Sequence, residues 1–314
     1  MVSDGSGWAP IGSGQPTTPQ RVAAPPGISA IASRRPFARF TLLGMLDEAG
    51  RTVRRNARVA VIGSGLLLAP ATVASVVTAH GLADRFATAD SVVGPLRPIF
   101  GSRVSADATR VSEIVALVVG SLCVALIGGF MGELVLLERY GRPVALGPLL
   151  RGLLRRSPRL IGGWLLGHGL LVLVLLAVAA DQTLGIVAAL LGAIPVLLSL
   201  YVSPVIVGEQ ASVSGAWRRS QRLVRQRYDA AIAFALTSAF VGLWLRGWLA
   251  GLPALAQATG LVSFGSMRWL AEGVAAQLGV MIGAPIVAAA TMLSFIDARV
   301  RLEGVDLLVE LAET

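Results

Sequence analysis

Long apolar runs without charge are the feature that most constrains the fold of this chain. Residues 230–245 contain no charged side chain, and neither do residues 273–296. A helix of about 20 apolar residues is long enough to cross the hydrocarbon core of a bilayer. Of the 314 residues, 54% are hydrophobic and 14% are charged, whereas soluble domains carry about 25% charged residues. This pattern predicts an all-α, polytopic integral membrane protein.

Six transmembrane helices are predicted from the positions of these runs. Their approximate bounds are 59–80, 113–137, 160–180, 183–207, 230–250 and 270–296. They place external loops at 81–112 and 251–269, and a tight turn at Asp181 and Gln182. Residues 1–33 are rich in Gly, Pro and Ser and lack the apolar segment of a signal peptide, which predicts a disordered cytoplasmic tail before a membrane domain at 34–314.

Three short arginine-rich helices are predicted on the inner side of the membrane. They lie within Phe37–Arg58, Glu138–Arg159 and Ser203–Asp229. In the third, apolar residues such as Ala216 and Val224 share one helical face and arginines occupy the opposite face. Such a helix lies in the plane of a membrane surface. We expect its arginines to contact anionic lipid headgroups or a protein partner, and not nucleic acid. The candidate contact residues are Arg54, Arg55, Arg155, Arg156, Arg218, Arg222 and Arg225.

The distribution of arginine predicts the orientation. All 27 basic residues are arginines; eight precede the first span, six lie in 138–159, five in 208–228 and two after the last span, whereas the outer segments hold six. Cytoplasmic loops of membrane proteins carry an excess of basic residues. We therefore expect a multi-pass protein of the plasma (inner) membrane with both termini in the cytoplasm.

The three arginine-rich segments also resemble one another. Each ends in an arginine pair or near-pair and leads into a span, which makes Arg54, Arg155 and Arg225 equivalent, at spacings of 101 and 70 positions. The repeated unit would be a surface helix, a span out and a span back, with three units around a pseudo-threefold axis. Selection for positive charge at inner helix ends could produce the same similarity without a true repeat.

Two titratable side chains form a candidate intramembrane polar site. Glu133 lies near the inner end of the predicted second span, and His168 lies near the middle of the third. Ionisable groups within a membrane are costly and often functional. If they face each other, they could exchange a proton or bind a polar ligand. Alternatively, Glu133 is hydrated or paired with an inner arginine, and His168 is neutral and hydrogen-bonded to a neighbouring helix.

No soluble-type catalytic motif is present in the sequence. A Walker-type phosphate loop is excluded because the chain contains no lysine, and neither an HExxH motif nor paired cysteine ligands occur. The single cysteine, Cys123, excludes an intrachain disulfide. The two histidines, His80 and His168, lie in or beside predicted spans. We therefore expect no enzymatic activity, no metal site and no cofactor.

Three patches resemble a family of bacterial membrane proteins, the glycerophosphoryl diester phosphodiesterase membrane-domain type. They are RRPFARFTLLGMLDEAGRTVRRN from Arg34, SPVIVGEQASVSGAWRRSQRLVRQRY from Ser203 and FIDARVRLEGVDL from Phe295. The first departs from the family pattern at Leu43–Met45, where a Gly-Glu pair is expected. The resemblance implies a polytopic protein of about six spans. It does not imply phosphodiesterase chemistry, because that belongs to a separate soluble domain whose motifs are missing here.

Three functions remain open from the sequence. The first is a non-enzymatic scaffold or accessory subunit of an envelope or transport assembly, with membrane lipids and other envelope membrane proteins as partners. The second is a carrier or flippase-like protein for a lipid or amphiphile, using Glu133 and His168. The third, an intramembrane enzyme, has the least support because the same two residues are its sole candidates.

Overall fold

The computed structural model describes residues 41–83, 106–178, 192–265 and 268–304, and these residues form helices and short connections without a strand. The predicted tail at 1–33, the loop residues 84–105 and the turn at Asp181 and Gln182 lie outside the described residues. The helices are α1 Leu42–Arg55, α2 Ala57–Ala83, α3 Ala106–Arg139, α4 Leu146–Val178, α5 at 192–198, α6 Val202–Gly208, α7 Val213–Gln226, α8 Tyr228–Ala258 and α9 Arg268–Glu303.

Four helical segments within the described residues are long and apolar enough to cross a membrane. They are Ala57–Ala74, Val118–Arg139, Tyr228–Ala258 and Ala271–Glu303. They correspond to the first, second, fifth and sixth predicted spans, which indicates a membrane-embedded helical protein. The predicted third and fourth spans extend into residues outside the described part, so a total of six spans stays a prediction.

The last helix, α9, is the centre of the packing. It contacts α8, α3, α1 and α2, while α3 also packs against α2, α4 and α6. The C-terminal half of α9 supplies much of the buried core, including Met292, Leu293 and Phe295. Because α8 packs mainly against α9, its opposite side is exposed along most of its length.

The prediction of a separate surface helix within Glu138–Arg159 is wrong. Residues 146–178 form one continuous helix, α4, with Pro158 inside it. A proline inside a helix leaves the carbonyl four residues earlier without its usual donor. Here the Ser157 hydroxyl donates to the Leu154 carbonyl at 2.9 Å. The freed carbonyl is therefore satisfied, and the helix continues through the proline.

The predicted fourth span at 183–207 is not one continuous helix in its described part. The described part of this segment is interrupted at Ser199–Tyr201, between α5 and α6. Ser220 of α7 bridges the break, since its hydroxyl donates to the Leu198 carbonyl at 2.7 Å and accepts from the Tyr201 amide at 3.0 Å. A buried side chain from a distant helix thus provides the hydrogen bonds that the interruption removes.

The predicted external loop at 251–269 begins too early. Helix α8 continues to Ala258 and passes through Pro253, so the fifth span lies within a 31-residue helix. Helix α9 likewise continues beyond the predicted end of the sixth span to Glu303. The extension of α8 places Arg246 in the interior of that helix.

The first and third predicted repeat units match closely in their local structure. Helix α7 has the length of α1, and its bounds lie 171 positions later, which equals the combined spacing expected from the sequence. Thr41 and Ser212 cap the two helices by accepting from the amides of Gly44 and Gly215. A single non-helical residue then leads into α2 or α8. The middle unit lacks this break, because its arginine-rich segment is itself the first part of α4.

Candidate functional site

Arginine–carboxylate pairs gather at one end of the helices, which we call the arginine end. It comprises α1, α7, the last turns of α3 and α9, and the first turns of α4 and α8. These pairs link α1 to α3, α3 to α4, α7 to α9 and the start of α8 to α9. The arginine end is therefore held together by charge pairs between elements that are distant in sequence.

The first group of pairs is centred on Asp297 in α9. Its side chain is fully buried, and its carboxylate accepts from Arg227 at 2.7 Å and from Nε of Arg301 at 2.9 Å. Nearby, the hydroxyl groups of Tyr201 and Ser294 lie 2.9 Å apart. A buried carboxylate is costly unless it is paired and hydrogen-bonded. Both arginines therefore compensate the burial of Asp297.

A second group joins the connection before α7 to the end of α9. Arg219 contacts Glu209 at 3.3 Å and also Glu303, and Arg299 lies 3.1 Å from Glu303 and 3.5 Å from Glu209. Burial lowers the pKa of Arg219, but hydrogen bonds and attraction from Glu209 and Glu303 outweigh it and leave the pKa above its ordinary value. Arg219 thus stays charged and bridges both carboxylates.

A third group joins α1 to the end of α3. Arg55 donates to Glu138 at 2.5 Å and to Glu48 at 3.0 Å, while Arg139 lies 3.2 Å from Glu48. Asn56, at the break after α1, donates to Glu138 at 3.2 Å. Burial lowers the pKa of Arg55, but the hydrogen bonds and the attraction from Glu48 and Glu138 raise it by more. The pKa of Arg55 therefore lies above its ordinary value.

Glu133 is paired with an arginine of the neighbouring helix. Its carboxylate accepts from Arg156 at 2.7 Å across the α3–α4 contact, and both side chains are largely buried. Gly152 provides the space, because a Cβ atom there would lie 2.7 Å from the carboxylate. The structure therefore shows Glu133 paired with an arginine, in place of an unpaired intramembrane carboxylate.

His168 lies elsewhere on α4, in an aromatic environment. Its ring stacks on that of Trp164 with centroids 5.9 Å apart, and the Trp164 indole donates to Ser121 of α3 at 3.2 Å. Gly167, next to His168, allows Ser199 to approach the helix, because a Cβ atom on Gly167 would lie 2.5 Å from the hydroxyl oxygen of Ser199. His168 therefore belongs to a closely packed part of the α4 surface.

These contacts do not bring Glu133 and His168 together. The partner of Glu133, Arg156, precedes His168 by 12 positions on the same helix. At 1.5 Å per residue, the two positions are roughly 18 Å apart along the axis of α4. At this separation, Glu133 and His168 do not exchange a proton directly.

The seven arginines expected to contact lipid or a partner fall into two classes. Arg55 and Arg156 make the intramolecular pairs described above. The remaining five are exposed and have no carboxylate partner among the residues that the structure describes: Arg54, Arg155, Arg218, Arg222 and Arg225. Helix α7 carries both kinds of arginine. Arg219 contacts the carboxylates of Glu209 and Glu303, whereas its neighbour Arg218 is exposed.

The opposite face of α7 is covered by protein. Ala216, Ser220, Leu223 and Val224 are buried, and the helix packs against α4 and α6. Lipid contact by α7 is therefore available to its arginine face, and its apolar face is committed to the fold.

Neither Asp297 nor Ser220, which organise the arginine end, is among the candidate site residues predicted from the sequence. The spacing of Asp297 and Arg301 indicates an ion pair within one helix, but the second partner of Asp297, Arg227, lies 70 positions away in the sequence. Among the described residues, no group of three potential metal ligands occurs.

Comparisons with known proteins give no match: no family model matches the chain, and no significant match is found among curated proteins or solved structures. The resemblance to the phosphodiesterase membrane-domain type therefore stays a prediction from the three sequence patches.

Proposed function

We propose that this chain is a non-enzymatic, six-span plasma-membrane protein that serves as a scaffold or accessory subunit of an envelope or transport assembly. In this proposal the arginine end faces the cytoplasm, and both termini lie on that side. Its outward arginines hold anionic lipid headgroups and present a docking surface there.

The observation that carries the proposal is the sorting of arginines on α7. Arg219 is occupied by Glu209 and Glu303, whereas Arg218, Arg222 and Arg225 of the same helix are exposed. A cation without a carboxylate partner remains available to an external anion. Basic residues near an anionic membrane surface each contribute about 1 kcal/mol of attraction.

The six-span topology is supported by how the charge groups are placed. The C-terminal ends of α3 and α9 and the N-terminal ends of α4 and α8 share the arginine end, as antiparallel crossings require. With α1 preceding α2 there as well, the described helices alternate in direction. The excess of arginine at this end favours the cytoplasmic side.

The described contacts do not place Glu133 and His168 in one site, as the carrier alternative would require. Glu133 is occupied by Arg156, and His168 stacks on Trp164 about three helical turns farther along α4. A carrier that used both residues would need to break the Glu133–Arg156 pair during its cycle.

The test is the combined replacement of Arg218, Arg222 and Arg225 by glutamine in the full-length protein. We expect binding of phosphatidylglycerol, measured in mild detergent, to weaken about 100-fold if the three contributions add. The variant Ser214→Ala/Gln226→Ala changes the same exposed face without altering charge and serves as the control. Unchanged lipid binding and unchanged recovery of associated proteins in the arginine variant would contradict the proposal.

A further inference from the structure

The end of α9 lies against α7. The last residue of α9 is Glu303, and its carboxylate pairs with Arg219 of α7. Gly304 then ends the helix, because its φ of 60° lies in the left-handed region that favours glycine and its amide donates to the Val300 carbonyl at 3.2 Å. The chain therefore turns away from the axis of α9 at a point beside α7.

The three outward arginines of α7 are close to this point on the helix surface. Arg222 follows Arg219 by three positions, so the two side chains are neighbours, about 60° apart around the axis. Arg218 and Arg225 lie about 100° and 120° from Arg219 in the same direction. All three are exposed, whereas Ser220, in the other direction around the helix, is buried. The chain that leaves α9 thus passes next to the arginine face of α7.

The ten residues that follow Gly304 carry a complementary charge pattern. Residues 305–314, which lie outside the described residues, read VDLLVELAET and contain three carboxylates and no basic residue. On a helix, the spacing i, i+4, i+7 keeps three side chains on one face over about 10 Å. The outward arginines of α7 have this spacing, and the same spacing separates the three acidic residues Asp306, Glu310 and Glu313.

The segment 305–314 is long enough to reach the arginine face. Asp306 follows Glu303 by three positions, which an extended chain spans in about 10 Å, and neighbouring side chains on a helix lie about 5–6 Å apart. The nearby carboxylates of Glu209 and Glu303 are already shared between Arg219 and Arg299. The outward arginines therefore depend on another source of negative charge.

We propose that residues 305–314 dock on the arginine face of α7 through their three carboxylates and compete there with anionic headgroups. This inference rests on the proposed function, because it names the segment that controls access to the same docking surface. The segment is tethered beside the surface, and a short tether gives an effective concentration in about the millimolar range. Exposed ion pairs are individually weak, so lipid or a partner protein can displace the segment.

Docking is measured as a distance between two spin labels. The chain has one cysteine, which is buried, so Cys123→Ala gives a background for Gln226→Cys on α7 and Ala312→Cys in the segment. In zwitterionic detergent without anionic lipid, we expect one narrow distance, shorter than the length of α7, which is about 21 Å. A broad distribution of longer distances should replace it in the neutral-segment variant, Asp306→Asn/Glu310→Gln/Glu313→Gln.

A charge exchange is the matched control. Replacement of the three outward arginines by glutamate should also broaden the distances, and arginine at the three acidic positions of the segment should then restore the narrow distance. A broad distribution in the wild type, a narrow one that survives neutralisation, or no restoration in a folded exchange variant would overturn the proposal. Loss of the narrow distance on dilution with unlabelled protein would assign the segment to a second copy and overturn it as well.

Competition with lipid is measured by phosphatidylglycerol titration in mild detergent. We expect the neutral-segment variant to bind this lipid about three- to tenfold more tightly than the wild type, because a docked segment lowers the fraction of free surface. The gain should vanish when the three outward arginines are replaced by glutamine. Equal affinity of the neutral-segment variant and the wild type would contradict competition.

The two proposals fail separately. Unchanged lipid binding after replacement of the outward arginines contradicts the docking surface of the proposed function. The spin-label distances are recorded without anionic lipid, so they test the contact of residues 305–314 with α7 whatever the outcome for lipid.

Discussion

The Arg227 guanidinium lies 2.7 Å from the carboxylate of Asp297, and this contact joins the residue before α8 to the last two turns of α9. Asp297 has no exposed surface, whereas about a quarter of the Arg227 side chain is exposed. The pair therefore holds the start of one long helix against the end of the next. Asn56 and Glu138 form a comparable contact between the start of α2 and the end of α3, at 3.2 Å.

Replacement of Asp297 by asparagine is expected to destabilise the protein strongly. It leaves Arg227 and Arg301, which are both partly exposed, facing a neutral group, and the loss of hydrogen bonds to a charged group costs about 1.5–3 kcal/mol. Denaturant unfolding in detergent micelles would measure the loss. Asp229→Asn is the control, since Asp229 is exposed at the start of α8. Equal stability of the two variants would show that the Asp297 pairs contribute little.

Arg219 and Arg218 provide a matched pair for a second prediction. Arg219→Lys should lower stability by about 1 kcal/mol, because an ammonium group cannot bridge Glu209 and Glu303 as the planar guanidinium does. Arg218→Lys should change stability little, since Arg218 faces outward. The midpoint of thermal unfolding for each variant is the measurement, and similar midpoints would contradict a bridging role for Arg219.

The same group of charges predicts the effect of alkaline pH. The pKa of Arg219 in the folded protein lies above its ordinary value, so its contribution to stability is complete at any pH below the pKa of an arginine in the unfolded chain. It is lost only as the pH rises through the higher pKa of the folded state. We therefore expect the stability difference between the wild type and Arg219→Lys to stay constant from neutral pH to about pH 9. A difference that declines over this range would contradict the assignment.

The apolar runs predicted the helices well where composition alone decides the outcome. A run without charge must be buried or embedded in lipid, and residues 230–245 and 273–296 lie within α8 and α9. The matching caps at Thr41 and Ser212 also follow from sequence, because a hydroxyl accepts from the amide three residues later. This local chemistry is why the equivalence of Arg54 and Arg225 agrees with the bounds of α1 and α7.

The errors arose where individual contacts, and not composition, decide. The surface helix predicted within Glu138–Arg159 is continuous with α4, where the Ser157 hydroxyl satisfies the carbonyl that Pro158 frees. The break at Ser199–Tyr201 has no strong local signal, because it depends on Ser220 of α7. Likewise, the pairing of Glu133 with Arg156 required knowledge of which turn of α4 faces α3. One alternative for Glu133 did anticipate an inner arginine, yet the sequence did not identify which one.

The Glu133–Arg156 pair gives a prediction that separates structure from transport. Glu133→Gln should destabilise the protein by about 1.5–3 kcal/mol, the range for a hydrogen bond to a charged group. The exchange Glu133→Arg/Arg156→Glu should recover part of this loss. A double-mutant cycle between Glu133→Gln and His168→Ala should be additive, because the two sites are far apart. Strong coupling between them would instead support the shared site of a carrier.

The crossing of α8 and α9 at Gly279 gives the last prediction. A Cβ atom there would lie 2.7 Å from Cα of Arg246 and 2.8 Å from the Leu245 carbonyl oxygen, and backbone atoms cannot move aside as a flexible side chain can. Gly279→Ala should therefore separate the helices and cost about 1–3 kcal/mol. Gly247→Ala is the control, because a Cβ atom on Gly247 meets open space and the change improves helix propensity. Denaturant unfolding in the same micelles should rank Gly247→Ala at or above the wild type and Gly279→Ala below it, and the reverse order would contradict a close backbone contact at this crossing.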